Sequence, residues 1–197
     1  MKKQSNLTRR ALLLLALGLF VISSAASAQS ATTALNLGDF LPEVSGQTPS
    51  GGSLRLSDLI AGKTSVVVFS FSKTAGKDAR LWNDHLFNDY GSNRLVAVST
   101  VIMLEAAPRL LRGIIVSELK SNLPPSMRDR TIVSYQNEEL WKQRFAVADD
   151  SHAYVLLLSP DGHVRWRNPG AFSDAEYTEL KNKIQEQLQF ANPRKSQ

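Results

Sequence analysis

The chain has 197 residues, 23 of them Lys or Arg and 18 Asp or Glu, for a formal net charge of +5, and it contains no cysteine. The missing thiol excludes disulfides and every reaction that runs through a thiolate nucleophile. Lys2, Lys3, Arg9 and Arg10 supply all the charge of the first 28 residues, so the remainder carries 19 basic against 18 acidic side chains. A balance that close to neutral supports neither nucleic acid nor anionic lipid as a partner.

Residues 1–28 show the three parts of an export signal in order: the four cations, an apolar run over Ala11–Ile22, and a small polar stretch ending Ala26-Ser27-Ala28. The run is shorter than the roughly 20 residues that span a bilayer. Cleavage is expected after Ala28, giving an exported, periplasmic protein with no membrane span thereafter. Gln29 rather than Cys follows the cut, which closes the lipoprotein route. Arg9-Arg10 also fits a twin-arginine signal, but such pairs are common in ordinary signals and the general secretory route is expected. The next segment, 29–36, reads as a polar lead, 37–190 as one domain, and 191–197 as a disordered tail.

Within the domain, alternating apolar residues around Gly51-Gly52 predict a short hairpin, and Ser57 or Asp58 a single helical turn. Ser65–Phe71, rich in Val and Phe and free of charge, predicts a fully buried central strand. From Gly76 the period changes: Ala79, Trp82, Leu86 and Tyr90 form one helical stripe that Gly91 ends. Leu95–Val101 is the next strand. Pro108 opens a helix with Leu110, Leu111, Ile114, Ile115 and Leu119 on one face, and Pro124-Pro125 closes it. A brief strand at Thr131–Ser134 and a helix at Glu138–Phe145 follow. Two strands, Tyr154–Leu158 and His163–Arg167, flank the turn Ser159-Pro160-Asp161-Gly162. Ser173 to Glu176 reads as a capping box opening a final helix with Tyr177, Leu180, Ile184 and Leu188 inward.

This order, opening Gly38-Asp39-Phe40-Leu41-Pro42 and then Leu-Arg-Leu-Ser-Asp-Leu, resembles the peroxiredoxin (AhpC/TSA) and TlpA-like branch of the thioredoxin superfamily. The segment Tyr154–Trp166 followed by Gly170 is most similar to the mitochondrial ATP synthase assembly factor family and related bacterial exported proteins. The resemblance implies an α/β thioredoxin-like fold, a mixed central sheet flanked by helices, with an N-terminal hairpin extension. It also locates what is missing. The redox motif of the enzymes falls on Ser72–Asp78, where one register sets Ala75 and Asp78 on the two cysteines and another sets Thr74 and Lys77 on the peroxidatic Thr and Cys. The cis-proline of the enzymes falls on Asp150-Ser151-His152-Ala153.

Each candidate has a plain structural reading. Thr74, Lys77 and Asp78 at a helix start are suited to an anion, but capping by Thr74 or Ser72 accounts for them. Asp149, Asp150 and His152 are metal-ligand types, yet three adjacent loop residues seldom converge on one ion; no metal and no cofactor is expected. Arg165 and Arg167 share one face of a strand and Trp166 takes the other, giving either an edge-protecting face over a core Trp or an interface patch. The sequence therefore reads as a non-enzymatic interaction or assembly factor for another envelope protein, with Arg165, Trp166 and Arg167 as candidate contacts. The alternative is an enzyme or small-ligand binder that reuses the emptied cleft through Thr74, Lys77, Asp78 and His152. An oxidoreductase label would follow from fold alone.

Overall fold

A computed structural model describes residues 34–191; the expected export signal, the expected lead up to residue 33 and the tail from residue 192 lie outside them. Thr64–Ser70 forms β3, every residue buried and none charged, because a strand covered on both faces has no side left for a charge. It pairs in parallel with β4 (Val96–Met103), which pairs in parallel with β5 (Thr131–Ser134). On its other side β3 pairs antiparallel with β6 (Tyr154–Leu158), and β6 with β7 (Val164–Asn168). The predicted hairpin, β1 (Ser45–Gln47) and β2 (Ser53–Arg55), adds to β5, so the seven-stranded mixed sheet runs β2-β1-β5-β4-β3-β6-β7. Gly46 is required there: a Cβ would lie 2.2 Å from the Val133 carbonyl oxygen.

The helices are α1 (Leu56–Ile60), α2 (Lys73–Tyr90), α3 (Arg109–Asn122), α4 (Pro125–Arg128), α5 (Glu138–Phe145) and α6 (Asp174–Ala191). Two apolar layers cover the sheet. One combines Phe69, Phe71 and Tyr154 with Trp141 and Phe145 of α5; the other packs Trp82 and Leu86 of α2 and Leu180 and Ile184 of α6 on Val66, Val68 and Leu157. The Asp-Gly turn closes as expected, with Gly162 at φ +86° donating to the Ser159 carbonyl at 2.8 Å. The capping box is half formed. Ser173 Oγ accepts from Glu176 N, while the Glu176 carboxylate turns away to accept from Asn168 Nδ2 at 2.7 Å.

One expectation needs correction. Leu35 belongs to the domain and not to the polar lead: it is 5% exposed in the first layer and its N–H donates to the Arg144 carbonyl. From Leu35 to Leu41 the chain runs along the outer side of β7, exchanging hydrogen bonds with Val164 and Gly162. The apolar stripe of α3 is not a buried face: none of its residues is buried, and Leu110, Leu111 and Ile114 are 93%, 48% and 64% exposed. Apolar residues occupy too wide an arc of this helix for one buried face: Ile115, Val116 and Leu119 are half-buried, which turns Leu110, Leu111 and Ile114 outward.

Tyr177 lies 2.8 Å from Asp89 Oδ2 and 2.9 Å from the His85 carbonyl. Burial first, and then the hydrogen bond to Asp89, push its phenol well above the ordinary value; burial raises Tyr90 and Tyr154 as well. These phenols stay neutral in the fold at a pH that ionises them in the unfolded chain. Stability is therefore intact below about pH 10 and falls as pH rises above it, by at most roughly 1.4 kcal/mol per pH unit for each such tyrosine. Urea unfolding on either side of that pH should show the loss, and Tyr177→Phe should flatten it.

Candidate functional site

The end of the sheet where thioredoxin-like enzymes keep their thiols is built from the start of α2 and the loop before β6. Ser72 is the N-cap of α2: its Oγ accepts from Ala75 N at 3.0 Å and donates to the Asp150 carbonyl at 2.6 Å. The helix begins at Lys73, three residues before the expected Gly76, since this cap satisfies a first turn that carries no apolar periodicity. Ser72 rather than Thr74 performs the capping.

Asp78 binds backbone from two distant segments. One carboxylate oxygen accepts from Ala153 N at 2.9 Å and the other from Phe172 N at 2.8 Å. It thus ties α2 to the start of β6 and to the segment entering α6, with both oxygens engaged by backbone. Ala75 and Ala153 are fully buried, while Thr74 and Lys77 point to solvent. All peptide bonds among the described residues are trans, including those of the Asp150–Ala153 loop.

The loop polars do not converge. Asp149 accepts from the N–H and hydroxyl of Ser151, and these bonds hold its carboxyl below the usual carboxylate range. Asp150 instead accepts from Lys142 Nζ at 3.0 Å, and Lys142 also lies 3.3 Å from Glu138. Burial lowers the Lys142 ammonium, but hydrogen bonds to Asp150 and Glu138 outweigh it and raise the group overall. His152 is 4.0 Å from Asp149. Among the described residues no group of three or more His, Asp or Glu is placed to hold a metal ion. Two surface concavities are described, one beside Lys142 and Asp150, the other between β7 and α6. Neither is lined by Thr74, Lys77, Asp78 or His152.

On β7 the alternation resolves the Arg-Trp-Arg segment. Trp166 is 6% exposed, packs edge-on against Trp82 with ring centroids 6.3 Å apart, and donates Nε1–H to Glu179 at 2.9 Å. It is a core residue, so it is withdrawn as a contact for a partner. Arg165 and Arg167 are exposed; Arg165 donates to Ser159 Oγ at 3.1 Å and Arg167 to the Leu35 carbonyl at 2.6 Å. His85 stacks on Phe172 at 4.7 Å and His163 lies 3.2 Å from Asp161, both structural. The Asp78 clamp was not foreseen, because its two donors are 75 and 94 residues away and carry no side-chain signature.

Solved structures share the fold. A thiol:disulfide interchange protein DsbE from Chlorobium tepidum, described as putative, is 15% identical with a TM-score of 0.59, over 79% of this chain and 99% of that one. The thioredoxin domain of a thiol-disulfide oxidoreductase from Bacteroides vulgatus gives 16% and 0.55, over 77% and 99%. A thiol peroxidase from Chromobacterium violaceum gives 11% and 0.51, over 78% and 90%. At such identities the likeness concerns architecture alone, and those proteins' thiol chemistry does not transfer to a chain without cysteine. No curated protein matches. The family model described as ATP10 protein matches residues 27–188, from just before the domain nearly to the end of α6, and on that span this cysteine-free thioredoxin-like chain belongs to the ATP10 family.

Proposed function

We propose that this protein is a non-redox assembly or interaction factor for another protein of the cell envelope, exported by the signal over residues 1–28, cleaved after Ala28 and acting in the periplasm. One observation carries the reading: both oxygens of Asp78, which one register of the thioredoxin resemblance sets on the second redox cysteine, clamp the backbone of Ala153 and Phe172. In that register a reactive position has become a structural joint, in a family of assembly factors. The mechanism is recognition. Arg165, exposed on the face of β7 opposite Trp166, is the proposed polar contact, with Arg167 beside it. The ligand-binding alternative loses support, because Asp78 is consumed by backbone and Thr74 and Lys77 stand in solvent.

Crosslinking of the tagged chain in its own envelope, read by mass spectrometry, tests the proposal. One abundant protein partner is expected, with capture reduced about tenfold by Arg165→Glu, the scale of an interfacial Arg anchor. Capture of no partner, or indifference to the substitution, removes this surface from the reading.

A further inference from the structure

We propose that α3 is a strap, hinged at both ends, that opens as one unit while the sheet and its two apolar layers stay folded. Its sequence makes it a poor helix. A helix of 14 residues is marginal in water on its own propensity, and α3 lacks the usual supports. Pro108 at the N-cap makes no side-chain capping bond, and the first turn holds Arg109 and no acid, the wrong charge for a helix N-terminus. Gly113 lies in the middle, with nothing within 4 Å of a Cβ built on it. Ile114, Ile115 and Val116 then follow as three β-branched residues in a row, a run that favours extended backbone.

Tertiary packing normally makes up such a deficit. Here it does not, since none of the helix is buried and none of its side chains joins either apolar layer. What holds it is at the ends. Before it, Leu104 N donates to the Ser134 carbonyl at 2.8 Å, and Glu105 accepts from Glu138 N at 2.7 Å while Glu138 accepts from Ala106 N at 3.0 Å, a reciprocal clasp. Arg112 latches the helix to that clasp, donating to the carbonyls of Glu105 and Ala107 at 2.6 and 3.0 Å with its guanidinium over the Tyr135 ring. After it, Arg128 donates to the Leu123 carbonyl at 2.8 Å and Met127 is buried. Both flanks are thus fixed to the body, and the hinges fall at Pro108 and at Leu123, whose backbone is extended. Opening exposes little, because only Ile115, Val116 and Leu119 are half-buried and Leu110, Leu111 and Ile114 already face solvent. This inference does not rest on the assembly reading, and the two can fail separately.

Hydrogen exchange read residue by residue tests it on residues 29–197, since residues 32–197 form a compact unit by themselves. The amides of α3 should exchange at least about a hundredfold faster than those of β3, share one opening free energy, and respond little to dilute urea. Ile184→Val, fully buried on α6, weakens the body equally whether the strap is open or closed. It should therefore speed exchange in β3 about fivefold and leave α3 unchanged. Gly113→Ala should slow exchange in α3 about fivefold, and Arg112→Ala should speed it about tenfold. Trypsin reports the same opening, because cleavage tracks the population of the opened segment: Arg109, Arg112 and Lys120 should be cut before Arg80 of α2 and Lys181 of α6. Equal protection of α3 and β3, with both speeded by Ile184→Val, overturns the proposal, since the helix then opens only with the whole domain. Exchange that quickens gradually from the middle of α3 to its ends overturns it too, as fraying. So does a complete lack of protection that Gly113→Ala leaves unchanged, which would mean that the strap has no closed state.

Discussion

Asp78→Ala should lower the stability of the domain by about 2–4 kcal/mol and its melting temperature by roughly 5–12 °C. Two backbone N–H groups, of Ala153 and Phe172, are left without their acceptor, and bonds to an ionised acceptor are the stronger kind. Asp78→Asn keeps one carbonyl oxygen and should forfeit about half as much. Thr74→Ala, one turn away, and Lys77→Ala, at the adjacent position, both solvated, should each stay within about 0.5 kcal/mol. Thermal unfolding followed by far-ultraviolet circular dichroism ranks the four variants. A neutral Asp78→Ala would mean that water replaces the carboxylate and that the clamp adds nothing.

The second large effect is expected at Trp166. Trp166→Ala removes a ring that is 6% exposed, opens a cavity against Trp82, and leaves Glu179 without its indole donor. The expected loss is about 3–5 kcal/mol, against less than about 1 kcal/mol for Arg165→Glu on the solvated face of the same strand. Chemical denaturation midpoints at fixed pH separate the two. The contrast matters for any binding experiment: a partner lost with Trp166→Ala reports unfolding, whereas a partner lost with Arg165→Glu reports the surface. Equal stability of both variants would contradict the placement of Trp166 in the core.

Much of the fold was legible because burial leaves a direct trace in composition. The uncharged β3, the Asp-Gly turn and the stripe of α2 each state their environment in consecutive residues. Trp166 was ambiguous for a reason internal to strands: alternation says that Trp and Arg face opposite ways, but not which face meets a helix. The stripe of α3 left its environment open, because Leu and Ile mark affinity for an apolar neighbour without saying whether that neighbour belongs to the same chain. The candidate site was legible only as an absence. Zero cysteines excluded the chemistry, while the replacement joint at Asp78 depends on backbone donors from distant segments, and backbone donors are alike in every sequence. Leu35 failed similarly: nothing in Ala34-Leu35-Asn36-Leu37 says which leucine is covered, and its neighbour Arg167 lies on a strand more than 120 residues later.

The run of residues 35–41 along β7 ties together segments made first and last in the domain. Contacts of such sequence separation form late, since the loop between them must close before the pairing rewards it. Until α6 and β7 have emerged, the sheet keeps an unprotected border, and a nascent chain presents it to any extended segment nearby. Proteolytic trimming that passes Leu41 would restore that border in the finished molecule, so sheet protection sets how far the N-terminal segment can be shortened.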